Sequence, residues 1–75
     1  MAAQVEHARQ RPALTERQRQ VARALERGLS NEEIARELGI APRTVKAHCD
    51  NLRRKLGVGK RRQIVPAFRQ LEGRG

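Results

Sequence analysis

The sequence predicts an all-α domain of four helices built around a helix-turn-helix. Three observations carry that expectation. Apolar residues recur at helical spacing in four successive segments, and no segment shows the period-two alternation of a strand. The first three segments open on a capping residue or a proline and close on a glycine. Between the second and third, Ala35, Gly39 and Val45 stand at offsets 0, 4 and 10, a spacing that suits two helices crossing steeply over a tight turn.

Residues 1–13, "MAAQVEHARQRPA", are polar and lack a periodic apolar face, so they read as a flexible basic arm or a linker remnant. The first helix is expected over about 15–27. Thr15 caps it, Gln18 three positions on completes a capping box, and Leu14 packs ahead of the cap as a staple. Val21, Ala24 and Leu25 form its inward stripe, and Gly28 ends it. The second helix, about 31–38, repeats the device with Ser30 and Glu33. Ile34, Ala35 and Leu38 point inward, while Glu32 and Glu33 suit the positive end of the helix dipole. Gly39 terminates it.

The third helix, about 42–56, opens on Pro42, where a missing N–H costs nothing. Its stripe is Val45, His48 or Cys49, Leu52 and Leu56; Gly57 stops it after roughly 22 Å. The fourth, about 60–71, carries Ile64, Val65, Phe68 and Leu71 as its apolar positions. Pro66 falls inside it and predicts a kink or a late start. The last four residues, 72–75, read as a frayed end.

Composition narrows the function. A chain of 75 residues holds one small domain near the limit of independent folding. Its single cysteine permits no internal disulfide, which suits a reducing cytosol. No apolar run approaches the roughly 18 residues of a membrane span, and the N-terminus lacks a signal peptide's apolar centre, so a cytoplasmic protein is expected. Seventeen Lys and Arg against eight Asp and Glu give a net charge of +9. Such self-repulsion calls for an anionic partner, nucleic acid first, with an acidic membrane face or an acidic protein behind it. A single aromatic residue, Phe68, offers no platform for stacking single-stranded bases. The expected partner is therefore double-stranded DNA.

The helix-turn-helix makes three demands, and each falls on a suitable residue: Ala35 small at the close approach, Gly39 able to adopt positive φ, Val45 as the plug into the shared core. A plain helical corner in a bundle meets the same demands; the basic charge on the outer face argues against it. With Val45, Leu52 and Leu56 inward, Arg43, Lys46, Ala47 and Asp50 face outward on the half that would enter a major groove. Arg43 and Lys46 can donate to guanine O6 and N7, Ala47 can pack on a thymine methyl, and Asp50 can accept from cytosine N4. Asp50 can equally pair with Arg53 or Arg54 one turn on. Candidate phosphate contacts surround this stripe: Thr44, Arg53, Arg54, Lys55, Lys60 and Arg61, with Ser30 and Asn31 at the open N–H groups of the second helix. Ser30 also serves as that helix's cap.

Catalysis is not expected. His48 lies on the inner side of the third helix, and Cys49 beside it points about 100° away, so the two form no nucleophile–base pair. No metal-ligating cluster and no phosphate-binding glycine loop stand out. Neither a metal nor a cofactor is implied.

The stretch "LTERQRQVARALERGLSNEEIARELGIAPRTVKAHCDNLRRKLGVGKR" resembles the C-terminal DNA-binding domain of the LuxR/FixJ (NarL, GerE) family of bacterial transcription regulators. The match covers about residues 14–71. The pieces "LTxR", "GLSNxEIAxxLxI" and "TVKxHxxNLxxKLGV", followed by Arg61, are specific in that order. The resemblance implies a four-helix response-regulator effector domain with the third helix in the major groove. It places Lys46 and Ala47 at base-facing positions with Arg43 and Asp50 flanking, and Thr44 and Arg61 at the backbone. It implies a homodimer on an imperfect palindrome through the fourth helix, here around Val65, Pro66 and Arg69, and RNA polymerase as a further candidate partner.

The chain departs from the pattern in places. Ala41 stands where the family usually has a capping Ser, Ala22 and Ala24 replace larger apolar residues, and Pro66 lies in the expected dimer helix. Thirteen leading residues are too few for a receiver or ligand-binding domain, so the chain reads as a stand-alone regulator or an excised domain. Two alternatives remain. One is a domain like region 4 of a sigma factor, which shares "EIAxxLGI…RTVK" but not "NLRRKLGV" followed by an apolar helix. The other is an interaction module that pairs with a larger regulator and modulates it.

Overall fold

The computed structural model describes residues 14–73; the arm expected over 1–13 and the final two residues lie outside them. Among the described residues the chain forms α1 (Glu16–Glu26), α2 (Asn31–Leu38), α3 (Pro42–Leu56), a 3₁₀ turn (Arg61–Gln63) and α4 (Ile64–Leu71), and no strand.

The helix starts follow local side-chain chemistry. At α1, Thr15 Oγ1 accepts from the Gln18 N–H at 3.0 Å, and Gln18 Oε1 accepts from the Thr15 N–H at 2.9 Å. At α2, Ser30 Oγ accepts from the Glu33 N–H at 3.1 Å, and Glu33 Oε1 accepts from the Ser30 N–H at 2.8 Å. Each box satisfies two donors that helix geometry would leave orphaned. α3 has no such cap: Ala41 gives it an extended entry without a side-chain hydrogen bond, and Pro42 occupies the first turn.

Glycines close the elements where the backbone must turn left-handed. Gly39 has φ +71°, and the Ile40 N–H reaches the Ala35 carbonyl at 3.0 Å. α1 stops one residue earlier than expected, at Glu26, with Arg27 still right-handed and Gly28 at φ +80°.

The choice left open along α3 falls to Cys49, which is buried; His48 sits half-buried at the margin. Of the two outcomes expected from Pro66, the late start occurs. The 3₁₀ turn precedes α4, whose first helical residue is Ile64, so Pro66 lies in the first turn, where its missing N–H interrupts no helical bond. Gln63 fixes this entry: its Oε1 accepts from the N–H groups of Gly59 at 3.1 Å and Lys60 at 3.0 Å.

The core draws on all four helices. Val21, Ile34, Val45, Leu52, Ile64 and Phe68 are its largest fully buried side chains. Ala22 and Ala24 are buried with them, Ala22 beyond the stripe expected for α1, while Leu25 stays at the edge. Small side chains there let the neighbouring backbones come close. Glu72, expected in a frayed end, pairs with Arg19 and, at 3.6 Å, with Arg23, which ties the close of α4 to α1. Among the described residues no helix is long and apolar enough to cross a membrane.

The missing cap on α3 gives a direct test. Ala41→Ser supplies an acceptor for the first-turn N–H groups and is expected to raise the unfolding free energy by about 1 kcal/mol, read from the urea midpoint. An unchanged midpoint would mean that Pro42 already meets the need.

Candidate nucleic-acid interface

α3 turns a cationic face to solvent. Burial of Val45, Cys49 and Leu52 fixes its rotation, and the opposite side carries Arg43, Lys46 and Ala47, all exposed, with Asp50 half-buried beside them. Thr44 is half-buried on one flank. The four residues expected at base edges thus share one surface of α3.

Asp50 is not idle on that surface. Its Oδ2 accepts from Lys46 Nζ at 3.3 Å and its Oδ1 from Arg53 Nη2 at 2.5 Å. Of the two partners weighed in the sequence Asp50 takes Arg53, and it gains Lys46 besides, while Arg54 Nη2 donates to Asn51 Oδ1 at 2.7 Å. Arg53 first, and Lys46 with it, hold the Asp50 carboxyl below the usual carboxylate range.

A second group joins this face from outside α3. Arg61, on the 3₁₀ turn, donates through Nη1 to Asn31 Oδ1 at 2.7 Å and lies 3.7 Å from Cys49 Sγ. One guanidinium thereby links the start of α2, the middle of α3 and the entry to α4. Arg53 is fixed on its other side, with Nη1 donating to the Gly59 carbonyl at 3.3 Å. The result is a shallow notch of about 290 Å³ lined by Asn31, Lys46, Cys49, Asp50, Arg53 and Arg61. Three cations and one carboxylate meet there. Two of the expected base-edge residues and three of the expected phosphate contacts share the one concavity.

Other candidates stand apart from the notch. Ser30 Oγ is engaged as a cap acceptor, but a hydroxyl that accepts still carries its own proton to donate. Lys60 is exposed at the head of the 3₁₀ turn and borders a separate groove with Leu25, Leu29 and Val65. Lys55 is the departure. It extends toward α1, where its Nζ donates to Gln18 Oε1 at 3.3 Å, because its position on the α3 wheel falls on the flank opposite Arg53.

On α4, Val65 is half-buried, and Pro66 and Arg69 are exposed. Arg69 Nε donates to Glu26 Oε2 at 3.0 Å, binding α4 to α1. Pro66 borders a shallow groove with Val58, Ala67 and Gln70. The Arg61–Asn31 and Lys55–Gln18 links went unseen in the sequence. Their partners are 30 and 37 residues apart, and no spacing rule reaches that far.

An all-helical domain in which a glycine-turned helix pair holds a cationic helix outward over a basic notch belongs to the helix-turn-helix class of nucleic-acid-binding folds. Comparison with known proteins makes this specific. The model of the bacterial regulatory proteins of the luxR family, GerE, matches residues 12–68, and the chain belongs to that family. It is 50% identical over 60 residues to the transcriptional regulatory protein UhpA of Escherichia coli, and 47% identical over 60 residues to UhpA of Salmonella typhimurium. Each alignment covers 80% of this chain and 30% of the relative, so the chain spans under a third of these curated relatives' length. Among solved structures it resembles the response regulator ChrA of a heme-sensing two-component system, with a TM-score of 0.78 and 37% identity, covering 95% of this chain and 35% of ChrA. The family is one of DNA-binding transcription regulators and not a class of enzymes.

The floor of the notch has its own chemistry. Burial pushes the Cys49 thiol up from its ordinary pKa, Asp50 adds to that push, and Arg61 and Arg53 oppose it. The thiolate is therefore disfavoured at neutral pH. Alkylation of the native protein at pH 7.5 is expected to run slower than that of the urea-unfolded chain by at least about tenfold. Equal rates would show that the Arg61 guanidinium, not burial, governs this thiol.

Proposed function

We propose that this domain binds duplex DNA in a sequence-specific manner, with α3 lying in the major groove, as part of bacterial transcription regulation in the cytoplasm. The observation that carries the proposal is the notch. Lys46 on the outward face of α3 adjoins Asn31, Arg53 and Arg61, so a side chain able to reach base edges sits beside groups suited to a phosphate. Arg43, Lys46 and Ala47 read the edges, and Asp50 stands beside them. Asn31, Arg53 and Arg61 form the centre of the backbone contact, and Ser30, Thr44, Arg54 and Lys60 extend it. Lys55, drawn toward Gln18, contributes least.

Two domains are proposed to pair on an imperfect palindrome through α4, where Val65, Pro66 and Arg69 lie. The placement of Pro66 in the first turn supports this, since it leaves α4 helical through Leu71. RNA polymerase is the further partner through which such a bound regulator would act. The length of the relatives supports a role as the effector part of a larger regulator. The shallow groove beside Pro66 favours a second reading, in which the domain pairs with a longer regulator and modulates it without strong DNA binding of its own.

Selection from a randomised duplex library separates the two. Dimeric recognition yields a palindromic motif, a lone half-site would remove the α4 dimer, and no enrichment would favour the interaction module. On the selected site, Lys46→Ala is expected to weaken specific binding more than non-specific binding, by about 1–3 kcal/mol for a lost base contact. Arg61→Ala should weaken both alike. Equal effects of Lys46→Ala on both would show that a different face of α3 meets the bases. With roughly 3–5 phosphates engaged per protomer, the logarithm of the binding constant should fall with log salt at a slope of about −3 to −5. A flat response would end the DNA proposal.

A further inference from the structure

We propose that Asp50 is a specificity-determining residue that acts as an internal counter-charge, competing with DNA phosphate for Lys46 and Arg53. This rests on the DNA-binding role proposed above and assigns Asp50 a different task from reading cytosine.

The geometry supports a competitor. The carboxylate presents two oxygens, and each already accepts from a cation: Oδ2 from Lys46 at 3.3 Å, Oδ1 from Arg53 at 2.5 Å. A backbone phosphate also offers two anionic oxygens, suited to the same donors. Asp50 moreover lines the notch together with Asn31 and Arg61, so it stands where a phosphate would enter. A phosphate reaching Lys46 or Arg53 must displace the carboxylate or share a cation with it, against like-charge repulsion.

The consequence differs between the two modes of binding. Backbone contacts supply essentially all of non-specific affinity, whereas base contacts add only at the right sequence. On arbitrary DNA, Lys46 and Arg53 both seek phosphates, and Asp50 contests both. On the cognate site Lys46 turns to a base edge, and Asp50 contests Arg53 alone. A carboxylate at this point therefore lowers non-specific binding more than specific binding. In a domain carrying +9, that selective penalty sharpens discrimination without adding any base contact.

The test compares Asp50→Asn, Asp50→Ala and Asp50→Glu with the wild-type chain on a scrambled duplex and on the selected site, across a range of salt. Glu37→Gln serves as the control, since Glu37 pairs with Arg27 outside the notch. Asp50→Asn and Asp50→Ala should each bind the scrambled duplex about three- to tenfold more tightly at near-physiological salt, with a slope steeper by about 0.9, one phosphate's worth. The ratio of specific to non-specific affinity should fall, the selected motif should stay the same, and Asp50→Glu should keep the wild-type behaviour. Retention of the selected motif and of the helical circular-dichroism signal by each variant shows that its fold is intact.

An unchanged slope in both neutral variants would overturn the proposal. So would an equal gain from Glu37→Gln, which would trace the effect to net charge rather than position. A change of one base in the selected motif with unaltered non-specific binding would return Asp50 to cytosine reading. Failure of the wild-type chain and all variants to bind any duplex even at low salt would overturn the DNA-binding role itself, and this inference with it.

Discussion

Between α2 and α3 the backbone passes through Gly39 at φ +71°, and the Ile40 N–H folds back onto the Ala35 carbonyl. A side chain at that φ would cost about 1–2 kcal/mol, so glycine fits where other residues are strained. The rest of the interface depends on this turn. α2 has eight residues and could not persist alone, since helix nucleation is costly and so short a segment gains little from propagation. It is held because the turn lays it across α3, with Ala35 at the crossing and Val45 plugging the core beneath. The same turn sets the rotation of α3. Once Val45, Cys49 and Leu52 are inside, Arg43 and Lys46 are left facing solvent.

The polar links between helices do a different job from the core. Arg61 to Asn31, Lys55 to Gln18, Arg69 to Glu26 and Glu72 to Arg19 each join segments far apart in the chain. The two ion pairs, Arg69 with Glu26 and Arg19 with Glu72, have solvent-accessible arginines, and pairs of this kind add little net stability. Their value is positional. With two alanines among the buried residues of α1, apolar packing alone leaves the helices little bulk to hold their mutual register. Gln18 shows how the layers connect: it completes the cap of α1 and, with the same oxygen, receives the ammonium at the end of α3.

The sequence was most legible where structure is decided locally. Both capping boxes, the proline start of α3 and the left-handed turn at Gly39 depend on residues within a few positions of each other, so composition and spacing specify them. The outward face of α3 was legible for the same reason, since three buried positions fix a helix's rotation. Legibility ended where one segment had to choose among partners in another. Lys55 is basic and lies on α3, which suits a phosphate contact, but spacing within α3 does not reveal its bond to Gln18 on α1. Pro66 allowed a kink or a late start, and the choice turned on whether residues 61–63 would tighten into a 3₁₀ turn with Gln63 gathering two N–H groups. For Asp50 the spacing offers Arg53 or Arg54; the structure takes Arg53, leaves Arg54 on Asn51, and adds Lys46 from one turn back.

A domain of this charge attracts any polyanion, so binding alone demands little of it. The harder requirement is to hold cations ready without letting each of them grasp the nearest phosphate. The notch divides that labour by tethering. Arg61 is anchored by Asn31 and Arg53 by the Gly59 carbonyl, so in the proposed complex these guanidiniums would meet a phosphate backbone with less side-chain freedom left to lose. Arg43 and Ala47 remain exposed, and Lys46 keeps 72% of its side-chain surface open with a single weak tie to Asp50. Tethered groups favour one geometry and suit a repeating backbone, while a loosely held ammonium can search a groove whose edges change from step to step. Lys46 and Arg53 lie about two turns apart on α3, with Arg61 on the 3₁₀ turn, and what separates the two kinds of cation is whether an oxygen of a neighbouring segment holds the side chain.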